Sequence, residues 1–253
     1  MKTVRWGIIG CGDVTEVKSG PGFQKAAGSE LVMVMRRNGA KAEDYARRHG
    51  VKRWTTDADA LIQDEEVDAV YIATPPGMHE FYAMKVLAAG KPCYVEKPMT
   101  RNASEARRMV EAFGAKHLPL WVAYYRRAMP RFVKVREMIV GGALGRIVSA
   151  EYRYQDGQMA KRAEVEPWRL RAEESGGGLF LDLGSHVLDM LDFWLGELEM
   201  TEGAAWNEKR THAMEDHVAL KFRTAAGVAG GVSLDFTQAE KFDAFVLTGE
   251  KGI

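Results

Sequence analysis

The sequence predicts an α/β protein in two parts: a parallel sheet crossed by helices over residues 1–122, then an α+β part with a largely antiparallel open sheet over 123–253. Three observations predict it. Short apolar runs alternate with longer amphipathic stretches across the first ~120 residues, the pattern of βαβ units. Beyond them, strand-like segments cluster behind helices, as in α+β domains. Finally, 253 residues with 46% hydrophobic and 28% charged composition supply a core of ordinary globular size, without internal repeat or low-complexity tract.

The elements follow in order. Residues 4–9 form a buried strand, and a helix over 14–27 must be interrupted or reshaped by Gly20-Pro21-Gly22. Strand 31–35 leads to helix 40–49, which stops at Gly50, a suitable left-handed terminator. A short helix covers 57–62, and a strand over 69–73 ends at Thr74-Pro75-Pro76. Helix 78–89 stops at Gly90, strand 92–95 leads into Glu96-Lys97-Pro98, helix 104–116 follows, and a strand covers 118–124. In the second part, 130–139 reads as a helix and 146–154 alternates as a half-exposed strand. After Gly176-Gly177-Gly178 comes a strongly apolar helix over 181–195. Segments near Ala205 and over 218–222, 228–234 and 242–247 read as strands.

Bulk properties narrow the function classes. Lys+Arg and Asp+Glu both number 35, so the basic excess of a nucleic-acid binder is absent and no nucleic-acid partner is expected. Cys11 and Cys93 lack CxxC or zinc spacing and read as reduced, buried thiols. The N-terminus enters a strand without a signal-peptide apolar region, and no apolar stretch approaches the ~20 residues of a membrane helix. A cytoplasmic location with no membrane contact is the resulting expectation.

Gly10-Cys11-Gly12-Asp13-Val14-Thr15 follows the first strand and matches G-x-G-x-x-G at two positions, with Thr15 in the third. The first glycine permits a tight turn, the second lets a pyrophosphate approach the backbone, and the following helix N-terminus favours phosphate charge. Thr15 should loosen the helix–strand contact slightly. In this strand-before, helix-after context the motif predicts a Rossmann dinucleotide site; a Gly-rich structural turn is the alternative. NAD sites place an acid ~20 residues past the glycines to bond the ribose 2′-OH. Here the second strand ends Met35-Arg36-Arg37-Asn38. Two guanidiniums there suit a 2′-phosphate, so NADP is favoured with NAD as the second option, unless the pair is merely a solvated surface feature.

Four features together carry a resemblance to the glucose–fructose oxidoreductase/inositol dehydrogenase (Gfo/Idh/MocA) family. They are Gly10-x-Gly12, Ala73-Thr74-Pro75 with His79, Glu96-Lys97-Pro98, and Gly176-Gly177-Gly178-x-x-x-Asp182-x-Gly184-x-His186-x-x-Asp189. Their order and spacing match over essentially the whole chain. The resemblance implies a Rossmann domain plus an open-sheet domain, NAD(P)-dependent redox chemistry on sugars or cyclic polyols, and a homo-oligomer paired through one face of the second sheet. With the glycine turn and the arginine pair read above, the candidate cofactor contacts are Gly10, Gly12, Asp13, Val14, Thr15, Arg36, Arg37, Thr74, Pro75, His79, Glu96 and Lys97, although His79 better suits a helix start than chemistry. Two departures stand out: the strand-two acid is replaced by Arg36, and family chains usually continue with further strands past the position of Ile253.

Lys97 lies at the carboxyl end of a strand, where open α/β sheets bind ligands, and Pro98 restricts it to extended geometry. The resemblance has Lys97 reaching cofactor and substrate oxygen, where a cation polarises a carbonyl or steadies an alkoxide; a surface Glu-Lys pair is the bland alternative. Asp182, His186 and Asp189, at i, i+4 and i+7, fall on one face of an apolar helix. His186 suits a general base in oxidation and acid in reduction, Asp182 an orienting role, and Asp189 a brace. A metal site or a satisfied core network would use the same residues; no metal is expected. Tyr124, Tyr125 and Arg126 follow the sixth strand, and the resemblance has this junction lining the substrate cleft; packed aromatics in a linker are equally consistent, and Trp168 and Arg169, before the glycine run, are further candidates for the cleft. An NAD(P)-dependent dehydrogenase or reductase is the leading expectation. An NAD-dependent glycosidase of similar fold and a non-catalytic sugar or nucleotide sensor are the competitors. Lys97, Asp182 and His186 together favour an enzyme.

Overall fold

In the computed structural model, residues 3–158, 167–210 and 212–253 are described. The chain divides into two units, Met1–Ala123 and Tyr124–Ile253.

In the first unit, β1 (Val4–Ile9) buries Gly7, Ile8 and Ile9 on both faces, as a central parallel strand must. It lies between β2 (Ser29–Met35) and β4 (Ala69–Ile72). With β3 (Arg53–Thr55), β5 (Cys93–Val95) and β6 (Leu120–Val122), six parallel strands run in the order β3-β2-β1-β4-β5-β6. The order reverses between β1 and β4, so the segments leaving those two strands flank a crevice at their carboxyl ends.

Helices α1 (Asp13–Val17), α2 (Gly20–Lys25), α3 (Gly39–His49), α4 (Ala58–Gln63), α5 (His79–Ala88) and α6 (Ala103–Ala115) connect the strands. Asn38 caps α3 by accepting the Lys41 N–H at 3.0 Å, and Gly50 ends it at φ 66°. The interruption expected within 14–27 falls at Lys18-Ser19, one step earlier than the Gly-Pro-Gly segment. Pro21 lacks an N–H and so fits the first turn of α2. Strand β3 was not expected: it is three residues long, and its central Trp54 is exposed. Strand β6 is shorter than the expected 118–124.

Side chains on the two faces of this sheet form separate cores, one around Met33, Ile62, Ile72 and Val86, the other around Ile8, Phe23, Val34, Tyr45 and Tyr71. Each core holds one of the free cysteines. Burial pushes the Cys11 thiol up to about 11 and the Cys93 thiol up to about 12.

The second unit has a five-stranded sheet ordered β11-β7-β10-β9-β8, from β7 (Ile147–Gln155), β8 (Leu198–Trp206), β9 (His217–Thr224), β10 (Ala229–Asp235) and β11 (Phe242–Gly249). Only β7 and β10 pair parallel; the other pairs are antiparallel. Cross-strand rows separate the faces. The inner rows include Gly203–Leu220–Val232–Tyr152–Phe245 and Met200–Phe222–Gly230–Ala150–Leu247. Against them packs α8 (Leu179–Leu195), through Leu179, Val187 and Leu191. Helix α7 (Pro130–Val140) lies on α8, where Trp194 Nε1 donates to the Phe132 carbonyl at 3.0 Å. The outer rows include Trp206–His217–Asp235–Gln155–Phe242 and Ala204–Ala219–Ser233–Arg153–Ala244.

Candidate active site and dinucleotide cavity

At the reversal point, the turn after β1 adopts the geometry its glycines permit. Gly10 has φ +89°, and a Cβ there would come within 3.0 Å of Thr74 Cγ2 and 3.1 Å of the Ala73 backbone. The missing side chain therefore lets the turn lie against the segment leaving β4. Gly12 is extended and starts α1. Thr15 does not reach outward: it is fully buried, and its hydroxyl donates to the Gly12 carbonyl at 2.8 Å and accepts the Gly12 N–H at 2.9 Å. The residue in the third glycine position thus closes the turn through its own hydroxyl. Asp13 is exposed at the start of α1, with Val14 beside it.

A cavity of about 380 Å³ opens here, lined by Gly10, Cys11, Gly12, Met35, Arg36, Arg37, Asn38, Lys41, Ala73, Thr74, Pro75 and Tyr82. Three of these are cations, and among the described residues none of Arg36, Arg37 and Lys41 forms an ion pair. By contrast Arg5, Arg48, Arg53, Arg108, Arg127 and Arg146 are each paired with a carboxylate. The first turn of α3, capped by Asn38, adds a helix N-terminus to the same end. Lys41 and Asn38 were missed in the sequence. A lysine in a first helical turn opposes the helix dipole, and that misplacement was the available signal. A glycine turn without side chains, beside a helix N-terminus and cations, fits the diphosphate of a nicotinamide dinucleotide.

The segments after β4 and β5 are tied together by His79. It is fully buried; Nε2 lies 2.7 Å from the Thr74 carbonyl, and Nδ1 lies 3.1 Å from those of Pro98 and Met99. Burial pushes its pKa down. Its place is thus behind Thr74 and Pro98, holding the segments that carry Thr74, Pro75 and Lys97. The Lys97–Pro98 peptide is cis. Glu96 sits half-buried at the end of β5; Tyr71 donates to its Oε1, and the Lys97 N–H donates to its Oε2 at 3.1 Å.

In the second unit, Asp182, His186 and Asp189 share one face of α8, as their spacing requires. Arg169 Nε donates to Asp182 Oδ2 at 3.1 Å while its guanidinium lies 4.3 Å from the Trp168 ring. The His186 imidazole is buried beneath the edges of Tyr124 and Tyr125, at centroid distances of 6.0 and 5.2 Å. Burial pushes the Tyr124 phenol up to about 12. Asp189 is a brace: Arg127 donates to it at 2.8 Å and to Asp192 at 2.8 Å. Arg126 turns toward α7, with its guanidinium 5.9 Å from the Phe132 ring. The polar sequence before Trp168 lies largely outside the described residues. Among those residues, no His/Cys/Asp/Glu group has metal-holding geometry, and no helix is long and apolar enough to cross a membrane.

A doubly wound sheet with a glycine turn and a cationic cavity at its switch point, joined to an open-sheet unit, defines a dinucleotide-binding oxidoreductase. The chain belongs to the GFO/IDH/MocA oxidoreductase family. Residues 4–124 match that family's NAD-binding Rossmann model, and residues 132–253 match its C-terminal domain model. Among curated proteins, Oxidoreductase P35 of Formosa agariphila is 40% identical, over 98% of this chain and 78% of its own length. The 1,5-anhydro-D-fructose reductase of Ensifer adhaerens is 28% identical, over 98% of this chain and 74% of its own. Among solved structures, a levoglucosan dehydrogenase in complex with NADH and levoglucosan superposes with a TM-score of 0.87 at 26% identity, covering 98% of this chain and 72% of that one.

Proposed function

We propose that this chain is an NADP-preferring dehydrogenase or reductase acting on a CH–OH group of a sugar or cyclic polyol. The observation that carries the cofactor choice is the trio Arg36, Arg37 and Lys41, three cations without carboxylate partners on one cavity. In this reading they receive a 2′-phosphate, while Gly10, Gly12 and the backbone of Asp13, Val14 and Thr15 hold the diphosphate. Thr74, Pro75, Glu96 and Lys97 complete the site from the neighbouring strand ends, with His79 fixing their segments from behind. The substrate class is supported by the relatives that act on anhydrofructose and bind levoglucosan.

A bound nicotinamide supplies or accepts the hydride. Lys97 neutralises negative charge developing on the substrate oxygen. His186 takes the hydroxyl proton in the oxidation direction and returns it in reduction. Asp182, held by Arg169, orients the hydroxyl. Tyr124, Tyr125 and Trp168 offer hydrogen bonds and ring surface to a hydroxylated substrate, while Arg126, turned toward Phe132, is left out of that set. The outer face of the second sheet pairs with a second copy of the chain.

The test is a fluorescence titration with NADPH and NADH, followed by a panel of sugars and polyols monitored by nicotinamide absorbance. Lys97→Ala should lower kcat by roughly 100-fold or more while dinucleotide Kd changes little. Joint replacement of Arg36 and Arg37 by Ala should weaken NADPH by about tenfold or more and leave NADH nearly unchanged. Equal loss for both dinucleotides removes the NADP preference. Turnover without net absorbance change would favour a glycosidase that oxidises and re-reduces its sugar.

A further inference from the structure

Tyr71 occupies the middle of β4 and has no exposed surface. Its ring packs at 5.0 Å from Phe23 and 5.2 Å from Tyr94, and Trp6 completes the aromatic group. Phenylalanine would fill that space equally well. A phenol inside such a group costs desolvation unless its hydroxyl finds a partner. The partner is Glu96: the Tyr71 hydroxyl donates to Glu96 Oε1. The second Glu96 oxygen accepts the Lys97 N–H at 3.1 Å.

We propose that Tyr71 is a positioning residue for Lys97: from within the sheet its phenol fixes the Glu96 carboxylate, and that carboxylate holds the Lys97 backbone at the end of β5. The proposal rests on the role of Lys97 given above. The groups facing Glu96 are Tyr71 from β4, Tyr94 from β5, and the ammoniums of Lys97 and of Lys18 after α1. Burial raises the Glu96 carboxyl, while the phenol, the Lys97 N–H and the two ammoniums pull it down; the net direction is up. Removing the phenol removes one of the interactions that keep the carboxylate ionised. The carboxyl then rises further, and the ionised, lysine-holding form is lost at a higher pH.

Three variants test this: Tyr71→Phe, Glu96→Gln and the pair combined. In the cofactor-free protein, thermal unfolding of the double variant should fall no further than the larger single loss. In the loaded enzyme, Tyr71→Phe should move the acid limb of the kcat–pH profile up by about one unit, a tenfold loss below the limb that recovers above it. Substrate KM should stay within about twofold. Additive stability losses, or a Tyr71→Phe profile whose limb coincides with that of the unsubstituted protein, overturn the positioning role alone when Lys97→Ala is inactive. Full turnover by Lys97→Ala overturns the functional reading, and this role for Tyr71 with it.

Discussion

Glu16, one turn beyond the glycine turn, gathers a guanidinium and an imidazole from α3. Arg48 donates to its two oxygens at 2.8 and 2.6 Å, and His49 Nε2 lies 2.7 Å from it. The neighbouring Tyr45 hydroxyl donates to the Thr15 carbonyl at 2.9 Å, so the C-terminal half of α3 is fastened to α1 at two adjacent residues. The guanidinium of Arg48 holds the Glu16 carboxyl down to about 2, against an ordinary value of 4.5. A depressed carboxyl stabilises the fold above its unfolded pKa, and that contribution is lost as pH falls through the folded one. Glu16→Gln should therefore lower the thermal midpoint at neutral pH by roughly 2–4 °C, the shift of about 1 kcal/mol in a chain of this size. The gap should close as pH falls from 4.5 toward 2. Circular dichroism melts across that range check it; a gap independent of pH assigns the contact no electrostatic value. At this scale, Arg36 and Arg37 were legible because they stand where an acid is expected. Lys41 was harder to read: its one mark is a cation in the first turn of a helix, and only α3 brings it to the same cavity.

Among the elements, α8 shows why three consecutive glycines precede it. Gly176 ends the one-turn helix Ala172–Ser175 at φ 83°. Gly178 leaves room for Glu215, from the β8–β9 connection, whose Oε1 accepts the N–H groups of Gly178 and Phe180, both at 3.1 Å. A carboxylate at a helix N-terminus satisfies orphan donors and complements the dipole. A Cβ on Gly178 would stand 2.6 Å from that oxygen. Gly178→Ala should thus cost about 1–3 kcal/mol by overpacking, and Glu215→Gln less, with the double substitution falling short of the sum because the two act at one contact. Urea unfolding of the four proteins measures this; a neutral Gly178→Ala would mean that the connection yields. The glycine run and the Asp182/His186 spacing were legible as a helix with a polar face. Glu215 was not, because its partners lie 35 and 37 residues away and no local pattern joins them.

At the scale of the whole molecule, periodicity revealed most of the architecture, since the central strands of the first sheet bury apolar runs and β7 and β9 of the second alternate buried and exposed positions. It failed at β3 and at the ends of β6, where three-residue strands carry too little pattern. The open face of the second sheet presents Trp206, Phe242 and Val246, each close to half exposed, around a strip of small residues including Ala204, Ala219 and Ala244. Exposed aromatic surface beside small side chains suits a self-complementary interface. Sedimentation velocity should show an oligomer, and Ala219→Arg should shift it to monomer without changing the far-ultraviolet spectrum. A monomer before substitution removes the pairing.

The burial of both thiols has a practical consequence. With Cys11 and Cys93 each inside a core and their thiols near 11 and 12, almost no thiolate exists at neutral pH to attack an electrophile. A single cysteine introduced at any exposed position therefore becomes the one reactive sulfur, so dyes, spin labels or cross-linkers can be attached site by site to the native chain without first replacing its own cysteines.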